Sequence, residues 1–245
     1  MDDDALMAGA RRLWETLAGV PVSFAPAGGP VVVTAPASAL APPSWVGAVL
    51  LGDAALVTVP TDAVAREVRR ALEGVPARSL TEPSVLTRVL PVAEVLGPAT
   101  LAYLSADAFL PYEPPGVTVE HLPAHHAALL RLLASVSEED AGECGIDEIT
   151  SPAFVVRDAG AVVAAAGYRD WPGGTAHLCV LTAPRARGRG LARVVASAAT
   201  AHALTAGRLP QWRARPEASR RVARALGFRE LGSQLSVRPG GAAGS

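Results

Sequence analysis

Apolar residues recur along this chain in two periods, and the switches between them outline its elements. From Val117 onward the record is clearest. Val117-Thr118-Val119-Glu120 alternates like a short strand. Ala124 to Ser135 places Leu129, Leu132 and Leu133 on one helical face. Ser137-Glu138-Glu139-Asp140 opens a second helix, with acids at the positive end of its dipole. Phe154 to Asp158 and Ala161 to Ala166 are apolar strands joined by a turn at Asp158-Ala159-Gly160. Thr175 to Leu181 is a third strand. A long Ala-rich helix then opens near Gly190 and ends near Gly207. Leu209 to Arg213 is a strand, Glu217 to Leu226 a helix closed by Gly227 as C-cap, and Phe228 to Val237 a last strand. The order β-α-α-β-β-β-loop-α-β-α-β predicts a mixed α/β (α+β) class.

The first ~110 residues are patterned less regularly. Met7 to Leu17 predicts a helix, and Val31 to Thr34 and Ala48 to Val59 predict strands. Thr61-Asp62 caps a helix through Leu72, and a strand follows near Leu101 to Leu104. The stretch Pro111-Tyr112-Glu113-Pro114-Pro115-Gly116 stops regular structure on both sides and reads as a linker. The expected organisation is therefore a smaller α/β N-terminal domain over residues 1–112 and a second domain over 117–238. A Gly- and Ala-rich tail over 239–245 is expected to be disordered. Leu56-Val57-Thr58-Val59-Pro60 before a helix echoes Cys179-Val180-Leu181-Thr182-Ala183-Pro184 before a helix. Two readings follow: the N-terminal part is a degenerate copy of the same unit, or strand–Pro–helix has simply recurred.

Composition narrows the class. Half of the 245 residues are apolar, ample for a packed core. No apolar run reaches the ~18–20 residues that span a bilayer; the longest, Trp45 to Val59, is broken by Gly52 and Asp53. The start Met1-Asp2-Asp3-Asp4 is acidic, where a secretory signal begins with positive charge. Cys144 and Cys179 have no Cys or His partner at zinc spacing, so both read as small buried hydrophobes and no metal is expected. These features predict a cytoplasmic protein without a membrane partner. Net charge is −1 but unevenly divided: from Arg185 onward there are twelve Arg against only Glu217 and Glu230. That clustering suggests a polyanionic ligand for the C-terminal part. Nucleic acid is not expected, because interleaved aromatics and a basic N-terminal half are missing.

The informative segment is Arg185-x-x-Gly188-x-Gly190, set between an apolar strand and an Ala-rich helix. A diphosphate needs several N–H donors pointing into one small volume. The first turn of a helix supplies unpaired N–H groups and a positive dipole end. Glycines lack Cβ atoms, so the backbone can curl around phosphate oxygens. Arg185, Arg187 and Arg189 can add charge-assisted bonds.

Pro184-x-x-Arg187-Gly188-x-Gly190-Leu191-Ala192 after Cys179-Val180-Leu181-Thr182 resembles the acetyl-CoA loop of the GNAT superfamily of N-acetyltransferases. Leu209-Pro210-Gln211-Trp212, then Ser219 to Phe228 ending in Gly227-Phe228, resembles that family's last helix and its terminal Gly-Phe. The likeness is closest to a branch with a Pro-x-Trp strand and an additional N-terminal region. It covers Val117 to Val237 in element order and Ala176 to Phe228 in motifs. The resemblance implies a central mixed sheet flanked by helices, with acetyl-CoA as co-substrate. Val180, Leu181 and Thr182 would line the pantetheine arm by main chain. Arg187, Gly188, Arg189, Gly190, Leu191 and Ala192 would hold the diphosphate, with Arg185 or Arg193 meeting the remaining charge.

The implied reaction is attack of an amine on the acetyl thioester in a ternary complex. His177 has the chemistry of a general base, since its ordinary pKa is near neutrality, though a strand histidine bonded to backbone is the plain alternative. Glu143, Asp147 and Glu148 lie where the family binds its acceptor and can hold an amine cation, or form a solvated acidic loop. Tyr168, Asp170 and Trp171 can wall the acceptor pocket, or merely end a hairpin. Two departures stand out. Many family members carry a Tyr four residues before the terminal glycine, where it protonates the thiolate; this chain has Ala223. Many open that helix with Asn; here it is Pro216. Ser219 is retained and can replace one contact, or act as a helix cap. The leading reading is acetylation of a small-molecule amine. The rival is a catalytically silent acyl-CoA-binding or regulatory protein. The acceptor stays open among antibiotic, amino acid, polyamine and peptide amines, as does a homodimer.

Overall fold

Helix α1 (Asp3–Leu17) buries Leu6, Ala10, Leu13 and Trp14, the spacing that puts them on one face. The computed structural model that shows this describes residues 3–25 and 29–240. Strand β1 (Val31–Thr34) is followed by β2 (Val46–Leu51) and β3 (Ala54–Val59). The β2–β3 pair is an antiparallel hairpin turning at Gly52, which holds φ 64°. β1 lies parallel to β3. Helix α2 (Asp62–Ala71) starts where Thr61 predicts it to, the threonine hydroxyl accepting from the Val64 amide. Helix α3 (Pro83–Val89), with proline in its first turn, has no counterpart in the sequence reading: seven residues are too few to display a period. β4 (Val92–Tyr103) is longer than the strand expected near Leu101, because its first half is exposed and lacks an apolar alternation.

The second half follows the expected order. β5 (Glu120–Leu122), α4 (Ala127–Leu133) and α5 (Glu138–Cys144) lead into β6 (Ala153–Asp158), β7 (Ala161–Trp171) and β8 (Thr175–Thr182). Then come α6 (Leu191–Thr205), β9 (Leu209–Ala214), α7 (Glu217–Ala225) and β10 (Arg229–Pro239). The first of these strands sits a few residues later than the alternation of Val117 to Glu120 suggests. Residues 241–245 of the tail lie outside the described residues; Pro239 still belongs to β10, and the Gly240 amide donates to the Pro91 carbonyl.

The chain forms two compact units. One is Tyr103–Arg229; the other joins Asp2–Ala102 to Glu230–Ser245. In the unit that holds the N-terminal residues the strand order is β1-β3-β2-β10-β4, so the C-terminal strand completes a sheet begun at the start of the chain. Its core is built from Val46, Ala48, Val57, Val59, Val68, Leu80, Leu86 and Leu235, among others. In this unit the helix after Pro60 begins at once, without glycines, and offers no phosphate cradle.

In the Tyr103–Arg229 unit the strand order is β9-β8-β7-β6-β5. This is a mixed sheet: β8 is antiparallel to β7 and parallel to β9. Helix α6 packs closely on it because its buried face is mostly small: Ala196, Ser197, Ala199, Thr200 and Ala203 beside Val194 and Val195. Gly227 ends α7 at φ 93°, and a Cβ there would come within 2.0 Å of the Ala108 carbonyl oxygen. Among the described residues no helix is long and apolar enough to cross a membrane.

Candidate active site

The centre of the Tyr103–Arg229 unit is a break in its sheet. β8 pairs with β7 over eight rungs, from Thr175 to Thr182. With β9 it pairs over only three, Thr175↔Leu209, Ala176↔Pro210 and His177↔Gln211. From Leu178 to Thr182 the β9-facing edge of β8 carries no ladder. Val180 and Thr182 are half-buried, Leu181 is buried, and the Thr182 hydroxyl is buried without a hydrogen-bond partner. An open strand edge with an unsatisfied hydroxyl can receive an extended, amide-bearing chain.

At the end of that edge Pro184–Ala186 makes one 3-10 turn, and the chain enters the glycine loop. Gly188 and Gly190 both hold positive φ, 76° and 77°. A Cβ on Gly188 would meet nothing within 4 Å, so the residue is required by backbone angle and leaves open space above it. Gly190 is the N-cap of α6 and no side chain caps the helix. Its carbonyl accepts from the Arg193 and Val194 amides. Among the described residues the amides of Gly188 to Ala192 take no backbone acceptor. They form a cluster of free donors at a positive helix end, suited to an anion.

The arginines of the loop are already engaged. Arg187 donates to an Asp140 carboxylate oxygen at 2.8 Å, and this bond, with one from Ser137, holds the Asp140 carboxyl below its ordinary range. Arg189 donates to Asp158 at 2.7 Å with the same effect. Arg193 donates to the Ala225 carbonyl and lies 4.1 Å above the Tyr112 ring. Tyr112, in the segment read as a linker, is anchored by its amide on Ser197 of α6, and its hydroxyl reaches the neighbourhood of Gly190. Arg185 is exposed and turns toward α4.

His177 marks the point where the strands part. Its Nδ1 lies 2.5 Å from Gln211 Oε1, and its ring stacks on Trp171 at 4.1 Å and 11°. Burial, then the positive charge of Arg213, pushes its pKa down to about 3. The imidazole is therefore neutral at pH 7 and weakly basic. Side chains alternate across strands, so His177, Cys179, Arg169, Trp171, Gln211 and Arg213 share one face of the sheet. Glu148 pairs with Arg169 and Glu143 with Arg215 beside that face. Tyr168 and Asp170 lie on the other face, away from Trp171, and the Tyr168 hydroxyl is 3.0 Å from His202 Nδ1 of α6. Ser219 is the third residue of α7 and not its cap; its hydroxyl accepts from Trp212 Nε1 at 3.0 Å. Both cysteines are free and buried, and burial raises both thiols, Cys179 to about 12.

Sequence reasoning missed Asp140, Gln211 and Tyr112. Gln211 was within reach, because two parallel strands either side of the glycine loop put alternate residues on a shared face. Asp140 and Tyr112 carried no signal: their contacts span 47 and 85 residues of chain.

Residues 148–233 match the family model described as GNAT acetyltransferase. Over those residues the chain is similar to GNAT acetyltransferases. The match takes in both walls of the strand gap, the glycine loop and the Gly-Phe turn. Among solved structures it is similar to a GCN5-related N-acetyltransferase from Kribbella flavida, at 20% identity and TM-score 0.50, covering 66% of this chain and 65% of that one. It is also similar to a GNAT-family acetyltransferase from Colwellia psychrerythraea, at 14% identity and TM-score 0.48, over 80% and 81% of the two chains. A GCN5-related N-acetyltransferase-like protein from Streptococcus suis aligns over 96% and 99%, at 16% identity and TM-score 0.48. The chain thus spans just under two thirds of the Kribbella protein. Likeness at this level of identity speaks to the fold alone. No curated protein sequence matches the chain.

Proposed function

We propose that this GNAT-like domain transfers the acetyl group of acetyl-CoA to a primary amine of a small molecule, by direct attack in a ternary complex. The observation that carries the reading is the gap between β8 and β9 beyond His177, which ends at the free amides of Gly188 to Ala192. The diphosphate is held by those amides and the pantetheine amides pair with the open edge at Val180 to Thr182. The thioester then lies near the root of the gap, where His177 and Gln211 close it.

In this mechanism the neutral amine attacks the thioester carbon, the oxyanion is met by a main-chain N–H of β8, and the C–S bond breaks to release the thiolate. The proton lost by the ammonium passes to water. His177 at about 3 is too weak a base to take it efficiently at neutral pH, so it serves as a fixed wall of the site. Ala223 is buried where many relatives have a tyrosine acid, so the thiolate leaves by its own acidity or is protonated by solvent. Alignment of two bound substrates, worth up to ~7–11 kcal/mol in well-oriented cases, carries most of the acceleration. On this reading the protein works in the cytoplasm, where acetyl-CoA is supplied.

The weak base and the buried alanine favour one rival, a catalytically silent acyl-CoA-binding protein. Calorimetry with coenzyme A, followed by thiol release from acetyl-CoA across an amine panel, separates the two. Binding with amine-dependent thiol release is the expected result. Binding without release supports the rival, and absence of binding by folded protein overturns both.

A further inference from the structure

A second feature of the Tyr103–Arg229 unit is a small cavity between α4 and the β6–β7 hairpin, of about 140 Å³. Its floor is apolar: Ala128, Leu132 and Val162, all buried. Its walls are lined by three arginines, Arg131 from α4, Arg157 from β6 and Arg185 from the turn before the glycine loop, and no acidic residue lines it. Arg157 is fixed in place. Its Nε donates to Glu120 at 2.9 Å and its Nη1 to the Gly160 carbonyl at 2.9 Å. No hydrogen bond or close ion pair holds Arg131 or Arg185 among the described residues, though Arg185 lies in the field of Asp158. The nearest acid on the hairpin, Asp158, is already bonded to Arg189.

Glu120 and Asp158 offset part of this positive charge, but no carboxylate lines the cavity itself, and the apolar floor weakens the screening that water gives the arginines. An anion offsets the remainder. Guanidinium forks match the paired oxygens of a tetrahedral oxyanion. The cavity opens to solvent and has room for a phosphate group.

We propose that the cavity between α4 and the β6–β7 hairpin binds a phosphate monoester, with Arg131, Arg157 and Arg185 as its ligands. The phosphate has two chemical sources. One is a free phosphate or phosphorylated effector. The other is the 3′-phosphate of coenzyme A, since Arg185 is part of the segment that leads into the glycine loop; only this second source rests on the function proposed above.

Calorimetry with inorganic phosphate, on wild type and on Arg131→Gln, tests the site without reference to catalysis. Arg131 is exposed and makes no internal bond, so the variant folds; Arg131→Lys serves as the charge-retaining control. Wild type is expected to bind one phosphate at millimolar or better affinity, Arg131→Gln about tenfold or more weakly. Competition then identifies the source. If coenzyme A displaces phosphate and 3′-dephospho-coenzyme A does not, the cofactor's own phosphate fills the cavity. If neither displaces it, the ligand is a separate phosphate; both results support the site. Phosphate binding without any coenzyme A binding would leave this site standing and remove the transferase reading. The proposal is overturned if wild type and Arg131→Gln bind phosphate equally or not at all, and also bind coenzyme A and its dephospho form with unchanged ratio.

Discussion

His177 and Gln211 face each other on the last rung that joins β8 to β9, with Nδ1 and Oε1 2.5 Å apart, and beyond them the two strands separate. The bond pins the root of the gap, while burial, against the pull of this bond, keeps the histidine neutral. Gln211 Nε2 is buried without a partner, so the side chain is held by its oxygen, and His177 donates through Nδ1.

This arrangement makes stability depend on pH in a defined direction. The folded protein holds His177 at about 3, against an ordinary 6.5. Between those values the unfolded chain binds the extra proton, so stability is full above pH 6.5 and falls as the solution is acidified toward pH 3. The slope is at most about 1.4 kcal/mol per pH unit from this one group. Urea titrations of wild type and His177→Gln across that window check it. The variant's midpoint is expected to fall less steeply with acid, and parallel curves would show that His177 is not the group responsible.

Gly227 is the position least open to change. Its φ of 93° is unfavourable for any L side chain, and the added methyl carbon would lie 2.0 Å from the Ala108 carbonyl oxygen, a backbone atom that cannot rotate away. Gly227→Ala is expected to cost at least about 3 kcal/mol, through strain and a shifted contact between α7 and the segment around Ala108. A thermal melt checks it; a variant as stable as wild type would mean that this turn relaxes freely.

Gly188 and Gly190 give a contrasting test, because an added Cβ at either has room. Gly188→Ala is expected to lose only the ~1–2 kcal/mol of left-handed backbone. Coenzyme A affinity should fall by more than stability does, since the methyl group projects into the space above the free amides. Calorimetry beside a melt separates the two. An Ala variant with normal affinity would move the diphosphate away from this loop.

How much of this was readable in the chain depended on distance. The order of elements from β5 to β10 follows from apolar period and from turn residues such as Gly160 and Gly227, which act within a few positions. The glycine loop was legible for the same reason: its residues are consecutive. Helix α3 was not, because it is short and gives no repeat. Side-chain roles were harder still. Burial and the positive charge of Arg213 turn His177 from a good base into a poor one, and neither is visible in its neighbours along the sequence. Tyr168 sits three residues from Trp171 in one strand, yet the pleat sends the two to opposite faces.

The ion pair between Arg187 and Asp140 provides the last test, because it sets the charge that an incoming anion meets. Asp140 and Ser137 form the start of α5, and the carboxylate is shared between the Ser137 hydroxyl and the Arg187 guanidinium. Both partners are largely solvated, with side-chain exposures of 50% and 40%, so the pair contributes little to folding. Asp140→Asn should therefore change stability by less than about 1 kcal/mol. It also frees Arg187 beside the glycine loop, and coenzyme A should bind severalfold more tightly, most visibly at low salt, where the field of a free guanidinium reaches furthest. Titration at two ionic strengths checks both parts. Unchanged affinity at low salt would place Arg187 outside the reach of the diphosphate, leaving the backbone amides as the whole of the anion site.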